Sequence, residues 1–161
     1  TNIGPQVSKE QQQRVLGYID IAKGEGAKVA CGGEAPGDLK KGYFVKPTVF
    51  TGCNNDMRIA QEEVFGPVLA VIPFTKMEDV AEQANKTTFG LSGAVWTKDV
   101  KKAHKFASHI KAGTIWVNCY NVFDPAVPFG GYKMSGYGRE LGKHSMELYT
   151  NIKSVWVNLM D

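Results

Sequence analysis

Two adjacent carboxylates, Glu62 and Glu63, are the side chains of this chain best suited to binding a polar ligand. On an extended segment, neighbouring side chains point to opposite sides of the backbone. One carboxylate can then face solvent while the other accepts hydrogen bonds from a ligand hydroxyl group. Two ordinary surface charges would give the same sequence and are the favoured interpretation from the residues alone, while a ligand contact stays open.

Three aromatic residues form a second set of candidates, because they follow a strand predicted over residues 114–119 from its β-branched and aromatic side chains. In α/β proteins, loops at the carboxyl ends of strands bind ligands, and ligand pockets favour aromatic linings. The rings of Tyr120, Phe123 and Phe129 could therefore line an apolar tunnel. Packing in a hydrophobic core is an equally good interpretation.

Cys119, at the end of this predicted strand, is the one cysteine placed to act as a nucleophile. A reactive thiol needs a nearby cation, base or helix start that lowers its pKa. A small buried apolar side chain is nevertheless the favoured interpretation. Cys31 and Cys53 lie near predicted turns without an obvious base and receive no role. Three cysteines without a CxxC pattern favour a reducing compartment over a disulfide scaffold.

Neither a phosphate site nor a metal site is predicted. In the glycine-rich residues 136–144, Leu141 occupies the third glycine position of the dinucleotide-binding fingerprint, and His144 replaces the Ser or Thr of a P-loop. We expect these glycines to serve tight turns and close packing instead. His104 and His109 are five residues apart and would lie on different faces of a helix, without the spacing of metal ligands.

The elements that position these residues begin with a helix predicted from Ser8. Ser8 and Gln11 have the spacing of a capping box, and Val7 stands where a hydrophobic staple would. An extended segment is predicted over residues 43–50, in which Pro47 favours an edge or irregular strand. The predicted buried face of the helix consists of Val15, Tyr18, Ile19 and Ala22.

A regular alternation of strands and helices starts at residue 68. Strands are predicted over residues 68–74, 91–96 and 114–119, with intervening helices that Thr75 and Thr97 would cap. This order predicts a parallel, right-handed βαβαβ sheet and hence an α/β fold. A helix near residues 138–149 and a terminal strand over residues 151–159 are expected to follow, and proteins often cover such a terminal edge with another subunit.

The bulk composition is that of a folded globular domain. With 161 residues, 43% of them hydrophobic and 22% charged, the chain can bury a sizeable core. A net charge of +3 without a nucleic-acid motif argues against a nucleic-acid partner. No run approaches the ~18 apolar residues of a membrane-spanning helix, so no membrane partner is expected.

Six groups of motifs follow one another along the chain: GPQV at residues 4–7, GYF at 42–44 with PTVF at 47–50, EEVFGP at 62–67, GTIWVNC at 113–119, PFGG at 128–131 and SGYGRELG at 135–142. They closely resemble, in the same order, motifs of the NAD(P)-dependent aldehyde dehydrogenases. So many matches in one register make coincidence negligible. The likeness is greatest to cytosolic and mitochondrial members that oxidise aliphatic aldehydes or retinal.

The resemblance implies an enzyme that oxidises an aldehyde to a carboxylic acid with NAD or NADP. In that family a cysteine thiolate attacks the carbonyl, hydride passes to the nicotinamide, and a glutamate activates water to hydrolyse the thioester. Both catalytic residues, and the N-terminal domain that mainly binds the cofactor, normally precede the segment seen here. We therefore expect a C-terminal fragment that is inactive alone, with part of the catalytic domain over residues 1–149 and an oligomerisation strand over residues 150–161. A first residue, Thr1, that is not methionine agrees with this expectation.

Matching motifs also assign residues to the site. Glu63 resembles the glutamate that binds the nicotinamide ribose hydroxyls, and Phe65 the phenylalanine packed beside it. Asn121, Phe123 and Phe129 match positions that line the aldehyde tunnel, where aromatic walls exclude water. The two groups are expected to share one cavity.

The terminal strand resembles one that joins subunits, which implies a homodimer or homotetramer of the full-length protein in the cytoplasm or the mitochondrial matrix. Asn151 departs from the family pattern, since close relatives often carry a glutamate there that pairs with the arginine matching Arg139. The alternative to an enzyme is a non-enzymatic structural or interaction module derived from the same family.

Overall fold

The computed structural model describes residues 3–39 and 41–160 and shows a mixed α/β fold with small sheets. The described residues form two compact units that divide after Thr87. The predicted domain boundary after residue 149 is not tested by this division and stays a prediction.

The first unit places helices around a three-stranded sheet. Its central strand, β2, pairs antiparallel with β1 and parallel with β3. The first unit consists of α1 (Lys9–Gly24), β1 (Lys28–Cys31), β2 (Thr48–Thr51), α2 (Arg58–Gln61), β3 (Val68–Ala70) and α3 (Met77–Asn85).

Helix α1 forms where the sequence predicts it. The Ser8 hydroxyl accepts a hydrogen bond from the backbone N–H of Gln11 at 3.2 Å, which satisfies one of the unpaired amides of the first turn. The reciprocal half of the capping box does not form, because the Gln11 side chain donates to another segment. The predicted hydrophobic staple is also wrong, since the Val7 side chain that would form it is 92% exposed. The predicted apolar face is confirmed, because Val15, Tyr18, Ile19 and Ala22 are all buried.

The core of the first unit joins α1 to the sheet. Val15 and Ile19 of α1 and Phe50 of β2 are almost completely buried in one apolar cluster. Thr48 is buried among them with its polar atom satisfied, because its hydroxyl donates to the Lys46 carbonyl and accepts from the Gly33 amide. Burial of these side chains is the main stabilising contribution of the unit.

Three predictions for the first unit are wrong in detail. The segment predicted as an edge or irregular strand over residues 43–50 is a strand only from Thr48, where it forms β2. Strand β2 is central and not an edge, because Pro47 lies just before its first residue and removes no hydrogen bond from it, although its pairing with β1 is irregular between Val29 and Cys31. Strand β3 is shorter than predicted and lies at the edge of the sheet, with Leu69 exposed. Helix α3 begins after Lys76, and Thr75 does not cap it.

The second unit contains a parallel βαβ arrangement. Strands β5 and β6 are paired in register from Ser92 opposite Thr114 to Val95 opposite Val117, with α4 between them in the chain. Strands β4 and β7 form a separate antiparallel pair. The second unit consists of β4 (Phe89–Gly90), β5 (Ser92–Val95), α4 (Val100–His109), β6 (Thr114–Val117), β7 (Tyr132–Lys133) and a 3₁₀ helix (Lys143–Tyr149).

The structure confirms one half of the predicted βαβαβ sheet. The half from β5 through α4 to β6 is parallel as predicted. The half that would begin with β3 is not confirmed, because β3 pairs with β2 in the first unit. Helix α4 is capped by Asp99 and not by Thr97, since the Asp99 carboxylate accepts from the amides of Lys101 and Lys102.

Within residues 136–144, the predicted turn role is confirmed at Gly136 and close packing is found at Gly142, where a Cβ atom would lie 3.0 Å from Pro128, whereas the closest approaches of the second unit occur at glycines before this range. A Cβ atom at Gly113 would collide with the carbonyl oxygen of Gly130, and one at Gly130 would collide with that of Gly138. Gly136 has a φ of 101°, a turn conformation that favours glycine.

The last part of the chain is less regular than predicted. Helical structure begins at Lys143 and not near Gly138, because Glu140 forms an isolated antiparallel bridge with Phe129. Residues 150–160 form no strand and are exposed, so the predicted terminal strand is not present in this part of the structure.

Candidate functional site

The two adjacent carboxylates have different surroundings. Glu62 ends α2 in an extended conformation, and its carboxylate accepts two hydrogen bonds from the Arg58 guanidinium at 2.7 and 2.9 Å. The Tyr18 hydroxyl donates a third at 2.7 Å. The Arg58 and Tyr18 hydrogen bonds lower the pKa of Glu62 to about 2, and Glu62 in turn raises the pKa of Arg58. Glu62 is therefore a structural anion held by its own unit.

Glu63 is exposed, and its carboxylate has no such partners. Within residues 3–39 and 41–160, no donor forms a hydrogen bond or ion pair with the Glu63 carboxylate. Only its backbone carbonyl is engaged, by a 3.1 Å hydrogen bond from the Arg14 guanidinium. Of the two carboxylates, Glu63 is thus the one available to a ligand.

Phe65 also faces outward, two residues further along the same segment. It has a φ of 54°, and its side chain is 77% exposed. Val64, between the two outward side chains, is buried in the core. Phe65 lines one side of an open cleft of about 630 Å³, together with Gln11 and with residues 3–7 and 66–67.

The aromatic residues after β6 form a connected cluster in the second unit. Phe123 and Phe129 lie edge to face with ring centroids 5.0 Å apart. Trp116 contacts Phe123 at 5.7 Å and Tyr120 at 5.1 Å in the same geometry, which aromatic pairs prefer. Trp116 is buried, whereas Phe123 is 49% exposed. The cluster therefore has both a core anchor and an exposed apolar face.

Asn121 stands apart from this cluster. It is exposed, with a φ of 59°, in the loop between Tyr120 and Phe123. The structure brings Phe123 and Phe129 together in the second unit, and it places Glu63 and Phe65 on one segment of the first unit. The cavity predicted to be shared by these two groups stays a prediction, as do the roles of the five residues.

Several residues that organise these segments were missed by sequence reasoning. The Trp116 indole donates to the Val122 carbonyl at 2.9 Å and fixes the loop that carries Phe123. The Asn118 amide both donates to and accepts from the backbone of Thr97, and so ties the loops that follow β5 and β6. An asparagine directly after a strand is a recognisable turn residue, and that signal could have identified Asn118.

Arg139 holds the glycine-rich loop together. Its guanidinium donates to the carbonyls of Gly131 and Gly138 at 2.8 Å each, and lies over the Tyr132 ring at 5.4 Å. These contacts give Arg139 a structural role within its own unit. The role does not depend on a carboxylate at position 151.

The cysteines offer no obvious reactive centre. Cys119 is partly buried, Cys31 is exposed and Cys53 is buried. Burial raises the pKa of the Cys53 thiol, which favours its neutral and less reactive form. Among the described residues, no group of three or more His, Cys, Asp or Glu side chains is arranged to hold a metal ion.

These features define a mixed α/β protein with an available carboxylate and outward-facing aromatic rings in loops beside its strands. Similarity to known proteins identifies its family. The sequence profile named "Aldehyde dehydrogenase family" matches residues 1–155. The chain belongs to the aldehyde dehydrogenase family.

The chain is similar to particular members along nearly its whole length. An aldehyde dehydrogenase from Bacillus cereus, solved as an NAD+ complex, is 56% identical over 99% of this chain and superposes with a TM-score of 0.93. Aldehyde dehydrogenase 1A1 of Gallus gallus is 52% identical over 97% of it, and the mitochondrial aldehyde dehydrogenase of Homo sapiens is 50% identical over 99%. The chain spans only 32%, 30% and 30% of the lengths of these three proteins.

The longest helix among the described residues, α1, has 16 residues. No helix in residues 3–39 and 41–160 combines the length and hydropathy needed to cross a membrane.

Proposed function

We propose that this chain is the C-terminal part of an NAD(P)-dependent aldehyde dehydrogenase that oxidises aldehydes to carboxylic acids. One observation carries the proposal beyond the family: of two adjacent carboxylates, Glu62 is held by hydrogen bonds from Arg58 and Tyr18, and Glu63 is exposed without a partner among the described residues. The free carboxylate is the one that matches the ribose-binding glutamate.

The cofactor is NAD or NADP, and a domain outside this chain binds most of it. Glu63 and Phe65 fit their part of the task, because one offers a free hydrogen-bond acceptor and the other an exposed apolar ring. The Glu63 carboxylate would accept hydrogen bonds from the two ribose hydroxyls, and the Phe65 ring would pack beside the nicotinamide. When bound, the cofactor accepts a hydride from the substrate. The similar Bacillus cereus protein is described as an NAD+ complex, which supports this choice.

The aldehyde enters along the aromatic cluster of the second unit. Phe123 and Phe129 supply apolar walls that exclude water from the reacting centre, and Asn121 lies at the loop that forms its rim. The nucleophilic cysteine and the general-base glutamate are contributed by residues outside this chain. Cys119 is not assigned to that role.

The full-length protein acts as a homodimer or homotetramer, in which residues 151–159 extend the sheet of a neighbouring subunit. Exposed apolar side chains along this segment support the proposal. The compartment is the cytoplasm or the mitochondrial matrix.

The test compares this chain with the intact enzyme that contains it, using acetaldehyde or propanal as substrate and NAD+ as oxidant. We expect NADH formation from the intact enzyme and none from the chain alone. Turnover by the chain would contradict its assignment as a part without catalytic residues. An intact protein that oxidises no aldehyde would overturn the proposed function.

A further inference from the structure

One face of α1 contacts five consecutive residues of the segment that carries Glu63 and Phe65. Gln11, Arg14, Val15 and Tyr18 occupy positions i, i+3, i+4 and i+7, which lie on one side of a helix. From residue 62 to residue 65, the segment runs along this face in the direction from Tyr18 towards Gln11. The segment is short and irregular, so its conformation depends on such contacts.

Each position of the segment is held by a separate contact. At position 62, the Tyr18 hydroxyl donates to the Glu62 carboxylate at 2.7 Å. At position 63, the Arg14 guanidinium donates to the backbone carbonyl at 3.1 Å. At positions 64 and 65, the Gln11 amide donates to both backbone carbonyls, at 3.3 and 3.0 Å.

At position 66 the contact is steric. A Cβ atom on Gly66 would lie 2.5 Å from a methyl carbon of Val15, which is completely buried in α1. The glycine therefore lets the segment approach the helix more closely than any other residue would. Together with Val64 in the core, this contact keeps the backbone against the helix.

This arrangement fixes which side chains face outward. With the Val64 side chain buried and the exposed Glu62 carboxylate held by Tyr18 and Arg58, the Glu63 carboxylate and the Phe65 ring are left exposed and without such contacts. The positive φ of Phe65 is a conformation that non-glycine residues rarely adopt without support. Gln11 supplies that support through the Phe65 carbonyl.

We propose that α1 positions the nicotinamide-ribose contact: Tyr18 holds the Glu62 side chain, Gln11 and Arg14 hold the backbone of residues 63–65, and together these contacts set the placement of Glu63 and Phe65. This inference rests on the proposed function. Hydride transfer depends steeply on the placement of the reacting groups, so a shift of a supporting segment slows the reaction even when the contact residue itself is intact.

The experiment uses Tyr18→Phe and Gln11→Ala in the intact enzyme. Tyr18→Phe removes one hydroxyl but keeps the ring against which Arg14 and Arg58 pack. Its matched control is Tyr43→Phe, because no described residue hydrogen bonds to the Tyr43 hydroxyl. The control for Gln11→Ala is Gln12→Ala, since Gln12 also donates from α1 to a backbone carbonyl, at 2.7 Å, but to that of Phe44.

Stopped-flow absorbance of NADH in the first turnover separates positioning from folding. Loss of positioning lowers the rate constant of the burst, whereas loss of folded enzyme lowers only its amplitude. We expect Tyr18→Phe and Gln11→Ala to lower the rate constant about three- to tenfold with little change in amplitude. Both controls should keep the rate constant of the unsubstituted enzyme.

Arg14 gives a third variant that does not depend on a buried side chain, because it lies on the exposed part of α1. Arg14→Ala should slow the burst, and Arg14→Lys should restore most of the rate because an ammonium group can still donate to the Glu63 carbonyl. Failure of the lysine variant to restore the rate would contradict positioning through this carbonyl.

Glu63→Gln in the same assay separates the inference from the proposed function. If Glu63→Gln slows the burst while Tyr18→Phe and Gln11→Ala do not, the positioning role of α1 is wrong, and the contact between Glu63 and the ribose is still supported. If Glu63→Gln leaves the burst unchanged, the ribose contact fails and the positioning role of α1 fails with it. Equal slowing by the variants and their controls would reduce the effect to general destabilisation and overturn the inference.

Discussion

At the scale of single residues, Glu62 and Glu63 have the same chemistry and opposite environments. Glu62 has three hydrogen-bond donors from Arg58 and Tyr18, so its charge is already compensated. Glu63 offers the same acceptor atoms to solvent. Substitution of each glutamate by glutamine should therefore give different defects, since glutamine keeps the size but removes the charge.

Glu63→Gln in the intact enzyme should slow hydride transfer about tenfold, the loss typical of one charged hydrogen bond. Thioester hydrolysis should be slowed less. The physical reason is that an amide binds the ribose hydroxyls more weakly and places the nicotinamide less firmly. Pre-steady-state NADH formation measures the first step, and steady-state turnover includes the second. An unchanged first step would argue against the ribose contact.

Glu62 should instead contribute to stability, and its contribution should depend on pH. Because the folded state lowers the pKa of Glu62 from 4.5 to about 2, the stabilisation is complete above pH 4.5 and is lost as the pH falls towards 2. Urea unfolding of the chain across this range should show a decrease in the free energy of unfolding that Glu62→Gln makes shallower. If the free energy of unfolding depended on pH in the same way in the original chain and in Glu62→Gln, the stabilising role of Glu62 would be contradicted. Glu34→Gln serves as a comparison variant, because Lys46 likewise lowers the pKa of Glu34.

The sequence indicated that adjacent carboxylates would point apart, but not which one would be free. That choice depends on Tyr18, which is 44 residues away from Glu62 in the chain. A contact of that separation leaves no local pattern. The family resemblance pointed to Glu63, and the surroundings of Glu62 supply a physical reason for the choice.

At the scale of elements, local signals predicted α1 well because residues close together in the chain determine both its start and its buried face. Ser8 satisfies an amide three residues on, and the apolar spacing matches the helical repeat. A predicted helix start was wrong where two polar residues could each have capped the helix. Thr97 accepts from the Asp99 amide, and Asp99 in turn caps α4, so the helix begins two residues later than Thr97 alone would indicate.

Two glycines should respond oppositely to substitution by alanine. Gly113→Ala places a methyl group against the backbone carbonyl of Gly130, which cannot move independently, so we expect a loss of about 1–3 kcal/mol in stability. Gly17 lies in α1 with open space around it, so Gly17→Ala should stabilise by about 0.5–1 kcal/mol. Urea unfolding of both variants checks the pair. Equal effects would mean that the close approach at Gly113 is not needed.

At the scale of the whole molecule, strand partners were the hardest feature to predict. Adjacent elements β5, α4 and β6 gave a correct parallel pair because a short crossover leaves few alternatives. Strand β3 pairs instead with β2, which precedes it in the chain and which was predicted as an edge or irregular strand. Alternation of elements predicts an α/β fold, but it does not determine which strands become neighbours.

The terminal residues 151–159 give the last prediction, because their side chains are apolar and exposed in a single chain. Trp156 is 94% exposed, and Ile152 and Val155 are also exposed. A β-branched and aromatic segment of this kind can add as a strand to the sheet of a second copy of this protein through backbone hydrogen bonds. We expect residues 151–159 to form a strand only in the oligomer.

Val155→Pro and Val155→Thr in the intact enzyme test this expectation. Proline removes a backbone donor that strand pairing needs, whereas threonine keeps the donor and is also β-branched. Sedimentation velocity should show smaller species for Val155→Pro at concentrations where the threonine variant keeps the original mass. If both variants assemble alike, residues 151–159 do not join subunits through their backbone. If both dissociate alike, the apolar side chain of Val155, and not its backbone N–H, supports the contact.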